Sequence, residues 1–245
     1  MASRIVEVRQ GLLRKNDLIA ADLRQRFSRD DVFVVNLVSS PGTGKTALLE
    51  KTLERFVSRG RSCAALVADL ATDNDAQRLA STGAPVRQIN THGRCHVEAQ
   101  WIGEHLDDWS AEATQGAGAS GADPTKAEVL FIENIGNLVC PSSYDLGEHL
   151  RVVLLSVTEG EDKPLKYPGI FNGSDVAVLT KMDIAGPCDF DTAAAIDNIH
   201  QIRPGMPVLQ TSAKTGEGLD EWVDLLINSH RERQHVEPAL AAHGG

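Results

Sequence analysis

Seven short runs of Val, Leu, Ile and Ala punctuate the chain. They are VFVVNLVSS (32–40), SCAALVADL (62–70), a weaker PVRQIN (85–90), EVLFIEN (128–134), LRVVLLSVT (150–158), SDVAVLT (174–180) and PVLQTSA (207–213). Their apolar positions are near-continuous, the pattern of strands covered on both faces in a parallel sheet. Between them, helical spacing is visible near 45–59, 73–82, 95–112, 189–202 and 217–229. The first 4–27 residues share it, with Leu12, Leu13, Ile19 and Leu23 set among charges. This alternation predicts an α/β fold: one domain, a mostly parallel twisted sheet of about seven strands flanked by helices, with right-handed crossovers. The boundaries expected are a short N-terminal helical segment over 1–31, the domain over 32–230, and a flexible tail over 231–245. TQGAGASGADPT (114–125) reads as a surface loop.

Composition narrows the class. The net charge of −10 argues against a general nucleic-acid binder, which needs a basic stripe, yet leaves room for a local phosphate cradle. The chain has no uncharged apolar stretch of membrane-spanning length. Its first twenty residues carry charges throughout, unlike a secretory signal. A cytoplasmic protein with no membrane partner is expected. Four widely spaced cysteines, at 63, 95, 140 and 188, do not form a disulfide framework in such a chain.

The strongest local signal is NLVSSPGTGKTALLE (36–50), a buried strand, a Gly-rich turn and the start of an amphipathic helix. Glycines let successive backbone N–H groups turn around a phosphate, and the helix N-terminus adds its dipole. Gly42, Thr43, Gly44, Lys45, Thr46 and Ala47 are expected to line the phosphates. Lys45 would neutralise the β- and γ-phosphates, and the Thr46 hydroxyl would bind Mg²⁺. The strict motif is missed by one position, because Ser39 stands where glycine is usual. In TKMD (180–183), Asp183 has the chemistry to select guanine, since one carboxylate can accept from both N1–H and the N2 amino group. Lys181 would lie over the base. Ser212, Ala213 and Lys214, in QTSAKTGEG, supply a second base-reading loop after the next strand. Thr180 replaces the asparagine of most GTPases; its hydroxyl could still brace the phosphate loop.

Asp69 and Glu133 each end a strand where Mg²⁺ or an attacking water would sit, with Asp73 and Asp75 as alternatives to Asp69. Gly136 would follow the γ-phosphate through its N–H. Asn137, not glutamine, comes next, so slow intrinsic hydrolysis is expected. Cys95 and His96, read at the start of a helix, and Cys140, seven residues after Glu133, follow strands whose ends share one sheet edge. Thiolates with imidazole suit Zn²⁺, and also Ni²⁺ in a planar arrangement. On spacing alone, a buried cysteine and a surface histidine fit equally well. His92 is a candidate extra ligand.

The ordered set NLVSSPGTGKTALLE, DLATDNDAQR, GRCHVEA, ENIGNLVCPSSYDLGE, SVTEGEDKPLKYPGIF, TKMD and TSAKTGEG strongly resembles the hydrogenase nickel-incorporation GTPases of the HypB family, over about residues 5–228. In that family, serine at the position of Ser39 is ordinary. The resemblance implies a GTPase that helps deliver Ni²⁺ to the large subunit of nickel–iron hydrogenase, working with a maturation partner. It also implies a metal site matched by Cys95, His96 and Cys140, and a nucleotide-promoted homodimer that binds metal where the protomers meet. Residues 1–31 hold no Cys or His, so the N-terminal nickel capture or storage of some members is not expected. The related urease-maturation GTPases carry Cys-Pro-His, whereas Cys140–Pro141 is followed here by Ser142. A small-molecule P-loop kinase would leave TKMD and TSAK unexplained. A GTP-regulated scaffold without metal would tolerate loss of Cys95 or Cys140.

Overall fold

The structure, a computed structural model, describes residues 2–69, 74–91, 93–115 and 123–241, with backbone alone for 2–9, 69, 74–76 and 236–241. Among the candidates named above, Asp73 and His92 lie outside the described residues, as do the side chains of Asp69 and Asp75 and most of the 114–125 loop.

All seven apolar runs form strands: β1 (Phe33–Ser39), β2 (Cys63–Asp69), β3 (Val86–Asn90), β4 (Val129–Gly136), β5 (Leu150–Ser156), β6 (Val176–Thr180) and β7 (Val208–Gln210). They build one sheet in the order β3-β2-β4-β1-β5-β6-β7. Every pairing is parallel. Every residue of β1 and β6 is buried, as continuous apolar runs require. The helices are α1 (Ala2–Arg29), α2 (Lys45–Ser58), α3 (Asn74–Ala80), α4 (Ala99–Thr114), the short α5 (Lys163–Lys166) and α6 (Pro168–Asn172), α7 (Thr192–Ile202) and α8 (Leu219–Ala241). No helix among the described residues is long and apolar enough to cross a membrane.

One face of the sheet is covered by α2 and α8, where Leu49, Leu53, Phe56, Trp222 and Leu226 meet the strands. The other carries α1 and α4 over β1, β2 and β4, with α6 and α7 over β5 and β6. The 1–31 segment is therefore a wall of the core: Ala20, Leu23 and Phe27 are buried in it. Full burial of a leucine or phenylalanine side chain contributes about 1.5–3 kcal/mol, so α1 is held firmly by these contacts.

Two boundaries are corrected. α8 continues to Ala241, past the expected tail start at 231. Arg233 donates to the Val32 carbonyl at 3.1 Å and Gln234 to Asp31 at 2.9 Å, tying that stretch to the turn before β1. α4 starts at Ala99, so Cys95 and His96 occupy the loop before it. Both candidate sites lie on loops at the C-terminal ends of the strands, where open α/β sheets bind ligands.

Candidate functional site

The phosphate loop runs from the end of β1 into α2. Gly42 and Gly44 adopt left-handed φ values of 72° and 99°, which glycine reaches without steric cost. Lys45 is buried and donates to Ser39 Oγ at 2.9 Å. Ser39, the missing glycine of the motif, thus steadies the lysine ammonium. Thr46 Oγ1 donates to Glu133 Oε1 at 2.6 Å, bringing together two of the expected Mg²⁺ ligands. Asp69 closes β2 beside Asn90 of β3. Gly136 pairs with Ser39 in register, and a Cβ there would lie 2.8 Å from Pro41 Cα; this glycine packs directly on the phosphate loop.

Beside this loop lies a cavity of about 280 Å³, whose walls include Ala47, Thr180, Lys181, Asp183, Ala213 and Lys214. β6 and β7 carry the two segments expected to read the base to it, coupled by Thr211 N–H donating to the Leu179 carbonyl at 2.8 Å. Thr180 Oγ1 donates to the Thr43 carbonyl at 2.7 Å, the bracing expected of its hydroxyl. Lys181, with φ 61°, donates to the Gly42 carbonyl at 2.7 Å. Ser212 Oγ donates to Asp183 Oδ1 at 2.7 Å, fixing the carboxylate that would read guanine.

Sequence reasoning missed Glu159, on the β5–α5 loop. Its Oε2 accepts from Thr43 Oγ1 at 2.8 Å and from Ser156 N–H at 3.0 Å, and Lys163 Nζ lies 3.3 Å from its Oε1. Burial alone would push this carboxyl up, but hydrogen bonds from Ser40, Ser156, Thr43 and Lys163 outweigh it and hold it below the usual range. Glu159 is therefore an anionic brace on the phosphate loop. Its sequence signals were the charge run EGEDKPLK (159–166) and its place in the motif SVTEGEDKPLKYPGIF.

At the ends of β3 and β4, Cys95, His96 and Cys140 bring one ligand atom each to within 4.8 Å of one another. The Cys95 thiol donates to Cys140 Sγ at 2.9 Å, and His96 Nδ1 lies 3.5 Å from Cys95 Sγ. The thiol–thiol hydrogen bond, with burial, raises Cys95 above its ordinary value. Burial lowers His96, against the pull of Glu98, so the imidazole is neutral at pH 7, the form that ligates metal. Tyr144 stacks on the His96 ring at 3.9 Å between centroids, and Glu98 Oε1 lies 3.5 Å from Nε2. That leaves Nδ1 as the nitrogen facing the thiols. Two thiols and a neutral imidazole fit Zn²⁺ or Ni²⁺. Cys63 is buried in β2, burial pushing its thiol up to about 12, and Cys188 is an exposed loop residue; neither joins the group.

Two asparagines frame this group. Asn16 of α1 is buried; its Oδ1 accepts from Ala99 N–H at 2.9 Å and its Nδ2 donates to the Asp145 carbonyl at 2.8 Å. It thereby caps α4 from another helix, since Glu98 supplies no side-chain cap. Arg24 clamps the Asp145 carboxylate with two contacts of 2.7 Å. Asn137 spans the two cysteine segments directly. No periodicity in 4–27 could have revealed Asn16, because its role depends on long-range partners.

The CobW/HypB/UreG nucleotide-binding domain matches residues 33–210. The hydrogenase maturation factor HypB of Azotobacter chroococcum is 46% identical over 221 residues, which span 90% of this chain and 68% of that protein. The chain belongs to the HypB family. Members include the hydrogenase/urease maturation factor HypB of Helicobacter pylori, 34% identical over 95% of this chain and 91% of that protein. The crystal structure of H. pylori HypB in complex with nickel superposes with a TM-score of 0.80 at 36% identity, covering 89% of this chain and 96% of that one. The family resemblance read from the motifs and the parallel α/β fold are both borne out. This is a hydrogenase maturation factor with a P-loop nucleotide-binding domain.

Proposed function

We propose that this chain is a GTP-hydrolysing metallochaperone that binds Ni²⁺ or Zn²⁺ through Cys95, His96 and Cys140 and assists nickel insertion into nickel–iron hydrogenase. The observation that carries the reading is the convergence of these three side chains, Cys95 and His96 from the loop after β3 and Cys140 from the segment that follows Glu133 and Gly136 of β4. Lys45 neutralises the β- and γ-phosphates, Asp183 with Ser212 selects guanine, and Ala213 and Lys214 close the base pocket. Thr46 and Glu133, with Asp69, hold Mg²⁺, which when bound neutralises charge on the β- and γ-phosphate oxygens. The Gly136 N–H follows the γ-phosphate. With Asn137 where other GTPases place glutamine, hydrolysis is slow, which suits a timer. Three donors leave a coordination sphere short, and a second copy of the chain, joined when GTP is bound, completes it by two-fold symmetry. The hydrogenase large subunit and a maturation partner are then the receivers of nickel. The name of the H. pylori relative supports a second reading, in which urease is supplied as well.

The test is titration of the wild type and of Cys95→Ala with Ni²⁺ and Zn²⁺, each with GDP and with a non-hydrolysable GTP analogue, following mass by light scattering. Tight binding should vanish in the variant, and wild-type mass and metal stoichiometry should depend on the nucleotide. A variant that binds metal as the wild type does, or a wild type that binds only above micromolar concentrations, sinks the metallochaperone and leaves a GTPase.

A further inference from the structure

Cys95 and Cys140 follow different strands, and 45 residues separate them. One side chain joins their backbones. Asn137 Nδ2 donates to the Cys95 carbonyl at 3.1 Å. Its Oδ1 accepts from Val139 N–H at 2.8 Å and from Cys140 N–H at 3.4 Å. The preceding residue is Gly136, which abuts Pro41 of the phosphate loop closely enough that a single added Cβ would collide with backbone. An uninterrupted contact therefore runs from the phosphate loop through Gly136 to Asn137 and on to both cysteines.

We infer that Asn137 is a positioning residue that sets Cys95 and Cys140 relative to each other and transmits movement of Gly136 to both at once. The inference rests on the metal reading above and names the residue that couples nucleotide to metal. Its side-chain amide suits the task because it offers both a donor and an acceptor, and each is used on a different segment. The contacts to Val139 and Cys140 are those of a local turn and need only the acceptor. The donor to Cys95 crosses 42 residues and serves no turn, so it is the part that joins the loops. Besides the thiol–thiol hydrogen bond, the Tyr144–His96 stack and the Asn16 clip join the same segments among the described residues. Asn16 belongs to α1, a packed wall of the core with no contact to the phosphate loop among its described hydrogen bonds, so it fixes the outer end of the site. Asn137 is the tie that adjoins the switch glycine.

The full chain carrying Asn137→Asp keeps the acceptor and loses the donor, while Asn137→Ala loses both. Ni²⁺ affinity is measured for both and for the wild type, with GDP and with a non-hydrolysable GTP analogue, alongside GDP affinity without metal and thermal melting. The wild type should show a Ni²⁺ affinity that differs between nucleotides by about 5–150-fold, the usual range of such couplings. Both variants should bind Ni²⁺ about 10–100-fold more weakly, as loss of an orienting partner does at other metal sites. Their two nucleotide states should become equal within about twofold, with melting temperature and metal-free GDP affinity of Asn137→Asp unchanged. Wild-type coupling retained in Asn137→Asp overturns the inference and reduces the residue to a turn former. A fall in metal-free GDP affinity overturns it too, by making Asn137 part of the nucleotide site. A wild type that binds no Ni²⁺, or binds it as Cys95→Ala does, fells the metal reading and the inference with it, and is distinguishable because it fails before either variant is compared.

Discussion

His149 precedes β5 at the edge of the sheet opposite both candidate sites. Its Nδ1 accepts from Val34 N–H at 2.9 Å, its ring stacks on Phe33 at 5.7 Å, and its buried Nε2 has no hydrogen-bond partner among the described residues. Burial, with nearby Arg233, Arg24 and His230, depresses it to about 3. In the unfolded chain the same imidazole takes up its proton near about 6.5. Between those values the unfolded chain holds one more proton than the native one, so stability is fully present above about pH 6.5 and falls as pH drops, by about 1.4 kcal/mol per unit. At pH 5 the loss from this group is about 2 kcal/mol. His149→Phe keeps an aromatic ring against Phe33 and removes the titration. It also leaves Val34 N–H without its acceptor, a penalty of about 1–3 kcal/mol that is the same at every pH. Urea unfolding of both proteins between pH 7.5 and 5, at matched ionic strength, isolates the group: other titrations, including that of the buried His230, are common to both. The wild-type advantage should be constant above about pH 6.5 and shrink by about 2 kcal/mol at pH 5. A difference that stays flat across the range refutes a histidine buried neutral.

Gly136→Ala drives a Cβ to 2.8 Å from Pro41 Cα, so the phosphate loop must shift. At the about 1–3 kcal/mol typical of overpacking, GDP affinity and GTP hydrolysis should fall together by about 5–150-fold while far-ultraviolet circular dichroism is unchanged; unaltered GDP binding by calorimetry would contradict the packing. Asn16→Ala strands the Ala99 N–H and the Asp145 carbonyl, so stability should drop by about 2 kcal/mol and the melting temperature by about 4–8 °C. Ni²⁺ affinity should fall with it and GDP affinity should not.

The strands were legible because both faces are buried, and residue type alone reports that. The phosphate loop and the Asp183–Ser212 pair were legible because their chemistry is local, within one turn or one strand end. A parallel sheet put Cys95, His96 and Cys140 at one edge, but only the resemblance favoured a metal site over a buried cysteine and a surface histidine, as spacing does not say which strands are neighbours; β4 in fact lies beside β2, which lies beside β3. Helical spacing from 95 onward blurred the start of α4, because His96 and Val97 are partly or fully buried without being helical. The charged stretch after 231 resembled a frayed end, yet its helix is secured by contacts to residues two hundred positions earlier. Glu159 and Asn16 escaped notice, and Asn137 was seen only as a missing glutamine, for the same reason: each is an ordinary polar residue with a decisive partner far away in sequence.

Burial of Leu23 and Phe27 from α1, and of Trp222 and Leu226 from α8, bears on how the molecule can be dissected. Trp222 is fully buried and its Nε1 donates to Thr52 Oγ1 at 2.9 Å, inside the helix that begins at the phosphate loop. The stretch bearing the family signature, 33–210, excludes both helices. Expressed alone, it would present two stripped apolar faces to water and collapse into aggregates. The stretch bearing the family signature is thus smaller than the unit that folds, and grafts or truncations of this protein have to be cut outside α1 and α8.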